Sequence, residues 1–345
     1  MEIISNLIQT DSFWEIMSIP LLLSMFLAVN MGGSGTAPAF SAAYGAGVIR
    51  RSLIPALFGI MVLAGALLAG KEVSLTLGKG LLEQSLFSPM VTSIILLCIG
   101  LSLFMANLLG VPQSTSQSTV LAIAGAAMAL DGLNTQKLLL EILPTWFILP
   151  LVSFLIILVL SKWVFPLLKS RFFTDNYDHL KEHRGLKILL VASSLYVAFS
   201  IGANNVANAA APIASLMVNQ TGNTDLTGII FYSMLLVAPC FAIGSSLFGH
   251  KVTRNNGKEI VSINPFYASV ISLLVASLLL SVSVTKGIPT SLVQLNGTAF
   301  IALGITKNGF RETFSNSTVK RFFTVWAFAP IFAFGLAFFM IKLLV

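Results

Sequence analysis

Charge is scarce in this chain. Of 345 residues, 20 are Lys or Arg and 13 are Asp or Glu, against 56% apolar residues. Mean hydropathy is +0.91. A soluble domain so composed would have nowhere to hide its apolar surface, so the class that remains is a polytopic membrane protein. Histidine is scarcer still: His179, His183 and His250 all fall in loops or at their edges. No zinc motif, Ser–base pair or aspartate pair lies within the apolar segments to make an intramembrane protease, and an enzyme is not expected. The two cysteines, Cys98 and Cys240, lie in apolar runs. They read as buried free thiols, too few for a metal site alone, and no cofactor is expected. The opening MEIISNLIQTDSFWE lacks the basic start of a signal peptide, so no cleavage is expected.

What the chain does have is apolar runs, such as 186–200, 227–247 and 322–344. They approach or exceed the roughly 20 residues that cross a bilayer's apolar core. The formal charge of +7 is spread over short loops rather than gathered in a patch, which reads as a topology signal and not as a nucleic-acid surface.

Two polar interruptions stand out within apolar runs. SIGANNVANAAAPIAS begins at Ser200 and carries Asn204, Asn205 and Asn208; NMGGSGTAPAFSAAYG begins at Asn30 and resembles a worn copy of it. Gly32 of the early copy matches Gly202 of the late one. A second pair follows in the same order: GVPQSTSQ from Gly110 matches GIPTSLVQ from Gly287, with the spacing P-x-S-x-x-Q kept. Two matches in order imply an internal repeat: 1–169, a polar central loop at 170–186, then 187–345. Counting five crossings per half puts 15 of the 20 basic residues on the side of the central loop. By the positive-inside rule that loop is cytoplasmic and both termini face out, in a cell membrane. An odd number of crossings inverts the second half. The expected fold class is therefore an all-α polytopic membrane protein of two inverted-topology repeats. Its broken or re-entrant helices meet at the bilayer midplane, as in secondary transporters.

After Lys187 no charged residue occurs up to Val218. As one helix, 186–218 would span about 50 Å against an apolar core of about 30 Å, so a break is expected near Gly202 and the asparagines. The matching run carries Gly32, Gly33, Gly35 and Pro38; each glycine weakens a helix by about 1 kcal/mol. A broken end exposes N–H groups that must meet protein, water or ligand and that attract anions. In PQSTSQST, residues Ser114, Thr115, Ser116, Gln117, Ser118 and Thr119 are six consecutive hydrogen-bonding side chains; the thinner copy keeps Thr290, Ser291, Gln294 and Asn296.

These four segments contain no Asp, Glu, Lys, Arg or His. A cation carrier normally shows a buried carboxylate; an anion held by hydroxyls, amides and helix N-termini fits better. Phosphate near neutral pH keeps a proton and benefits from an acceptor, whereas sulfate only accepts. A site rich in donors therefore leans to sulfate, with phosphate, thiosulfate or molybdate as alternatives and an anion channel as a remote one. Moving two negative charges into a cell costs about 4.6 kcal/mol per 100 mV, so uphill import needs coupling cations.

The sequence resembles the inorganic phosphate transporter family, and its sulfate-permease members over the whole chain. GANNVANA is similar to the family's GANDVANA signature, and PQSTSQ and PTSLVQ are similar to its paired P-x-S-T-T-H segments. The resemblance implies inverted repeats and secondary transport of a tetrahedral oxyanion. Asn205 stands where the family has aspartate, with Gly35 and Ser34 at the first copy, and Gln117 and Gln294 stand where it has histidine. Because the resemblance assigns those aspartates largely to sodium, a proton is expected over sodium as the coupling ion. It also implies substrate contacts from Ser114, Thr115, Ser116, Gln117, Ser291, Gln294, Gly202, Asn204, Asn205, Gly32, Gly33 and Ser34. Asn30 and Asn208 are expected at the helix breaks or the coupling ion. Expected partners are the oxyanion, the coupling cation, the lipid bilayer and a second copy of the chain in a homodimer.

Overall fold

The computed structural model describes residues 11–108, 113–167, 184–222, 225–255 and 264–345. Most of the expected central loop, and Gly110 and Pro112 of the first P-x-S-x-x-Q motif, lie outside the described residues. Among those described, the structure is almost wholly helical, and extended backbone pairs once, in a bridge between Leu82 and Leu133.

The first half comprises α1 (Asp11–Gly45), α2 (Ile54–Ala69), the short α3 (Lys71–Leu75), α4 (Pro89–Leu108), α5 (Thr115–Ala129) and α6 (Leu143–Val159). The second comprises α7 (Arg184–Asn205), α8 (Ala207–Thr221), α9 (Leu226–Val237), α10 (Pro239–Asn255), α11 (Pro265–Lys286), α12 (Leu292–Asn308), the short α13 (Phe310–Ser315) and α14 (Ser317–Leu344). Several boundaries follow directly from local chemistry. Asn264 caps α11, its Oδ1 accepting from Phe266 N at 2.8 Å. Pro265 opens that helix, Lys286 lies in its last turn, and Gly287 ends it at φ +62°. A side-chain oxygen satisfies an orphan N–H at one end, and glycine tolerates the left-handed turn at the other.

Eight stretches of the described residues are long and apolar enough to cross a bilayer, four in each half. The two P-x-S-x-x-Q segments instead open α5 and α12, of 15 and 17 residues. Each is shorter than the roughly 20 residues of a full crossing.

The expected interruptions take other forms. α1 runs unbroken for 35 residues through Gly32, Gly33, Gly35 and Pro38, so the break expected in the glycine-rich copy is absent. In the second copy the chain breaks for one residue only. Val206 separates α7 from α8 with helical dihedrals, and its carbonyl accepts from both Ala209 N at 3.2 Å and Ala210 N at 3.0 Å. Pro212, inside α8, brings no N–H to the Asn208 carbonyl four residues earlier.

The glycines serve packing. A Cβ on Gly32 would overlap the Phe241 backbone of α10, and one on Gly244 of α10 would overlap the Val29 carbonyl of α1. The same exchange joins α7 to α2: a Cβ on Gly202 would overlap the Val62 carbonyl, and one on Gly65 the Phe199 carbonyl. Two helix pairs thus cross with backbones in contact, the arrangement that small residues permit where lipid supplies no hydrophobic drive. Each pair joins one half to the other, and so do α5 with α14 and α12 with α6. Most of the buried apolar residues of both halves accordingly form one continuous core, with Ala106, Val325 and Ala329 in a small separate cluster.

Gly202→Ala and Gly244→Ala are each expected to cost about 1–3 kcal/mol by forcing backbones apart. Gly335→Ala, where a Cβ meets nothing within 4 Å, is expected to be neutral or to stabilise by up to about 1 kcal/mol. Thermal unfolding in detergent separates them; three equal midpoints would contradict the close-crossing account.

Candidate functional site

The two P-x-S-x-x-Q segments meet in the middle of the structure, and each begins a helix in the same way. Ser114 caps α5, its hydroxyl accepting from Gln117 N at 3.3 Å. Ser291 caps α12, accepting from Gln294 N at 3.1 Å. The S-x-x-Q spacing is that of a capping box, in which the third-residue amide folds back on the cap. Here the amides reach across instead. Gln117 Nε2 donates to Gln294 Oε1 at 2.9 Å, and Gln294 Nε2 donates to Gln117 Oε1 at 2.8 Å.

With the amides so engaged, the first N–H groups of both helices lack partners among the described residues. No described residue supplies an acceptor to the main-chain N–H of Thr115 or Ser116 in α5, or of Leu292 or Val293 in α12. Such groups are obligatory donors at a helix start, and Ser114, Thr115, Ser116 and Ser291 are all buried.

The asparagines of α7 and α8 close the third side. Asn204, fully buried, shares its amide protons among Ser116 Oγ at 3.0 Å, Thr290 O at 2.8 Å and Asn205 Oδ1 at 2.6 Å. Its Oδ1 accepts from Ser283 Oγ and Thr290 N, both at 3.1 Å. Asn204 therefore ties α7 to both short-helix starts and to α11. Asn208 Nδ2 donates to Ser116 Oγ at 3.3 Å, while Asn208 Oδ1 is buried without a partner among the described residues, as is Thr290 Oγ1. Ser116 Oγ thus accepts from two amides, which fills its two lone pairs and leaves its O–H to donate. The hydroxyls of Ser114 and Ser291 likewise accept from protein N–H groups, and each keeps its own proton.

The remaining predicted residues fall elsewhere. Gly32 and Gly202 sit in the helix crossings described above, and Gly33 lies against Phe248. Asn30 Nδ2 donates to Phe26 O at 2.9 Å and Ser34 Oγ to Met31 O at 3.1 Å. Both bond back to their own helix, because α1 stays intact and gives them no broken end to bridge. The first-half copy thus does not mirror the asparagine cluster. Asp131 and Glu141, the carboxylates that follow the first P-x-S-x-x-Q segment, are exposed and make no described hydrogen bond to the cluster.

Reading the sequence missed the residues that anchor the two short helices. Trp146 Nε1 donates to Pro289 O at 2.8 Å, and Ser153 Oγ to Leu295 O at 3.0 Å. On the other side Gln113 Nε2 donates to Ser102 Oγ at 2.9 Å and Ser118 Oγ at 2.7 Å, and Ser102 Oγ donates to Ala329 O at 3.0 Å. Gln113 lies inside the quoted motif and was findable there. Ser102, Ser153 and Ser283 lie in apolar runs with no pattern to mark them.

Comparisons with known proteins place the chain in a family. The profile of the phosphate transporter family matches residues 31–337. The chain belongs to this family. Similar relatives include the sulfate permease CysP of Bacillus subtilis, 32% identical over 324 residues, covering 94% of this chain and 86% of the relative. A putative phosphate permease of Pyrococcus furiosus is 24% identical over 367 residues, covering 85% and 88%. Among solved structures, one titled "The sodium-dependent phosphate transporter" superposes with a TM-score of 0.79 at 22% identity, covering 96% of this chain and all of that one. Family and relatives are transporters and permeases rather than enzymes.

Asn204→Ala removes the partner of Thr290 N and Ser283 Oγ. It is expected to cost about 1–3 kcal/mol for each buried group left unpaired. Asn205→Ala, losing one contact at a half-buried residue, is expected to cost under about 1.5 kcal/mol. Thermal unfolding of the two variants checks the ranking, and an equal loss would remove Asn204 from its central position.

Proposed function

We propose that this chain is a secondary transporter that imports sulfate, with protons as the coupling cation, and that the anion sits between the starts of α5 and α12. The observation that carries the reading is the orientation of the hydroxyls. Ser114, Ser116 and Ser291 each spend lone pairs on protein N–H groups and keep a proton to give, and Thr290 Oγ1 is buried unpartnered beside them. Unpartnered N–H groups of two facing helix starts add partial positive charge. An oxyanion would complete all of these donors at once, and a cation none of them. The 32% identity to a sulfate permease over nearly the whole chain supports the choice of anion. The absence of a carboxylate from the site residues supports protons over sodium.

The same reading treats residues 1–169 and 187–345 as repeats of inverted topology. Its support is the exchange of partners between halves and the sharing of ends. Asn219 Nδ2 reaches the carbonyls of Gln84, Ser85 and Phe87, beside the Leu82–Leu133 bridge. At the opposite end Tyr267 reaches Phe165 O and Ser161 meets Thr306.

One observation favours a second anion. Asn208 Oδ1 is a buried acceptor without a donor, and a phosphate that keeps its proton could supply one. Phosphate transport is the alternative reading.

Radiolabelled sulfate uptake into proteoliposomes decides between them. Uptake driven by an imposed proton gradient and resisting excess phosphate is expected; uptake blocked by phosphate, or requiring sodium, would install the alternative. Ser114→Ala with Ser291→Ala is expected to lower uptake at least 100-fold in folded protein. The two caps themselves are worth about 1 kcal/mol each in stability. Undiminished transport in the double variant would remove the anion from this site.

A further inference from the structure

The reciprocal amide pair holds together two helices that are otherwise anchored apart. α5 is fixed to α4 and α14 through Gln113, Ser102 and the Ala329 carbonyl, and a Cβ on its Gly125 would overlap the Phe334 backbone of α14. α12 is fixed to α6 through Ser153, Trp146 and the Ser161–Thr306 contact. Between these two assemblies Gln117 and Gln294 form a cyclic pair, far apart in sequence and each in the first turn after its serine cap. Ordinary capping-box geometry would turn each amide onto its own helix start; both are instead extended toward the opposite helix. The pair therefore spans the two helix starts whose hydroxyls and N–H groups make up the donor cluster.

We infer that the Gln117–Gln294 pair is a ligand-operated clasp: closed across the two helix starts in the anion-free protein, and opened when an oxyanion takes the Nε2 donors for itself. The inference rests on the oxyanion reading of this site.

The strengths of the competing bonds favour this behaviour. The clasp is made of two neutral amide–amide hydrogen bonds. An oxyanion offers charged acceptors, and charge-assisted bonds are roughly twice as strong as neutral ones. The anion can therefore displace each amide from its partner while satisfying the N–H groups and hydroxyls behind it. A clasp of charged side chains would resist displacement, and an apolar contact would give the anion nothing to take. Two glutamines are also unchanged by pH, so the clasp responds to the anion and not to protonation of its own groups. Once the clasp is open, the Asn204 bonds to Ser116 Oγ and to the Thr290 backbone still bridge the two helix starts. The direct tie between α5 and α12 is gone, however, which loosens the two anchored assemblies as alternating access around a central site requires.

A double-mutant cycle on the purified full chain tests the clasp, with Gln117→Ala, Gln294→Ala and the double variant unfolded thermally without anion and in saturating sodium sulfate. Groups that act as a unit are non-additive. Without sulfate, the double variant is therefore expected to melt no more than about 2 °C below the lower-melting single variant. In sulfate the coupling is expected to disappear, the single effects adding, because each amide then faces the anion. Additive effects without sulfate would mean that there is no clasp. Equal coupling with and without sulfate would mean a fixed structural tie that the anion does not open. The oxyanion reading is judged separately by whether sulfate, or inorganic phosphate in a parallel series, raises the melting midpoint of the unmodified chain. If neither does, that reading falls, and the ligand-operated step falls with it, while the cycle without anion still decides whether the pair is closed. A transport readout separates the clasp from ordinary anion ligands. Either single variant is expected to lose about 10-fold in maximal sulfate uptake rate, alongside a rise in KM from the lost anion contact. A loss confined to KM would make the glutamines simple contacts.

Discussion

A backbone N–H inside a bilayer has no water to turn to, and the interior of this protein is arranged around that constraint. Eight stretches of the described residues are long and apolar enough to escape the problem by crossing completely, with their ends where water is available. α5 and α12 are not among them. They begin in the buried middle of the molecule, and their first donors must be satisfied there or left for a ligand. Serine caps take one N–H each, and Asn204 takes the Thr290 N–H. What remains is a set of aligned donors with nothing among the described residues to accept from them. The anion binding proposed for the site rests on this shortfall more than on any single residue.

The surrounding framework is correspondingly rigid. Glycine-to-backbone crossings hold α1 to α10 and α7 to α2, and they bring the Asn204 region of α7 within reach of both short helices. A side chain at Gly202 or Gly65 would push α7 from α2 and with it pull Asn204 from Ser116 and Thr290. Packing and site are in this way the same structure: the donor cluster keeps its shape because the crossings beside it leave no room for another. Against this frame the contact between α5 and α12 is light. Its described hydrogen bonds are the two between the neutral amides of Gln117 and Gln294, the bonds that the proposed clasp would exchange for an anion.

The fold class was plain in the sequence because it depends on quantities summed over many residues, namely apolar run length and scarcity of charge. The recurrence of P-x-S-x-x-Q was plain for a different reason, as a match within one short segment; that its serines cap helices came from the structure. The asparagine cluster was legible as a place where partners gather, because three amides in a membrane run demand them. The glycine-rich copy misled for the opposite reason. Glycine weakens a helix and also lets two helices touch, and the sequence states only that a side chain is missing. Whether α1 would break at Gly32 or pack there depended on whether a helix from the other half of the chain, carrying Gly244, would arrive opposite.

By itself, then, the sequence determined that this is a membrane-embedded helical protein with two polar motifs repeated in order. Its membership of the phosphate transporter family followed from those motifs. Only the tertiary structure decided what the polar residues do to one another. Gln117 meets Gln294 and not its own cap; Asn204 has both its donor and its acceptor groups taken by protein; Ser116 accepts twice and is left with a proton to give. Hydrogen-bond direction belongs to sets of groups brought together across the fold, and no single segment carries it.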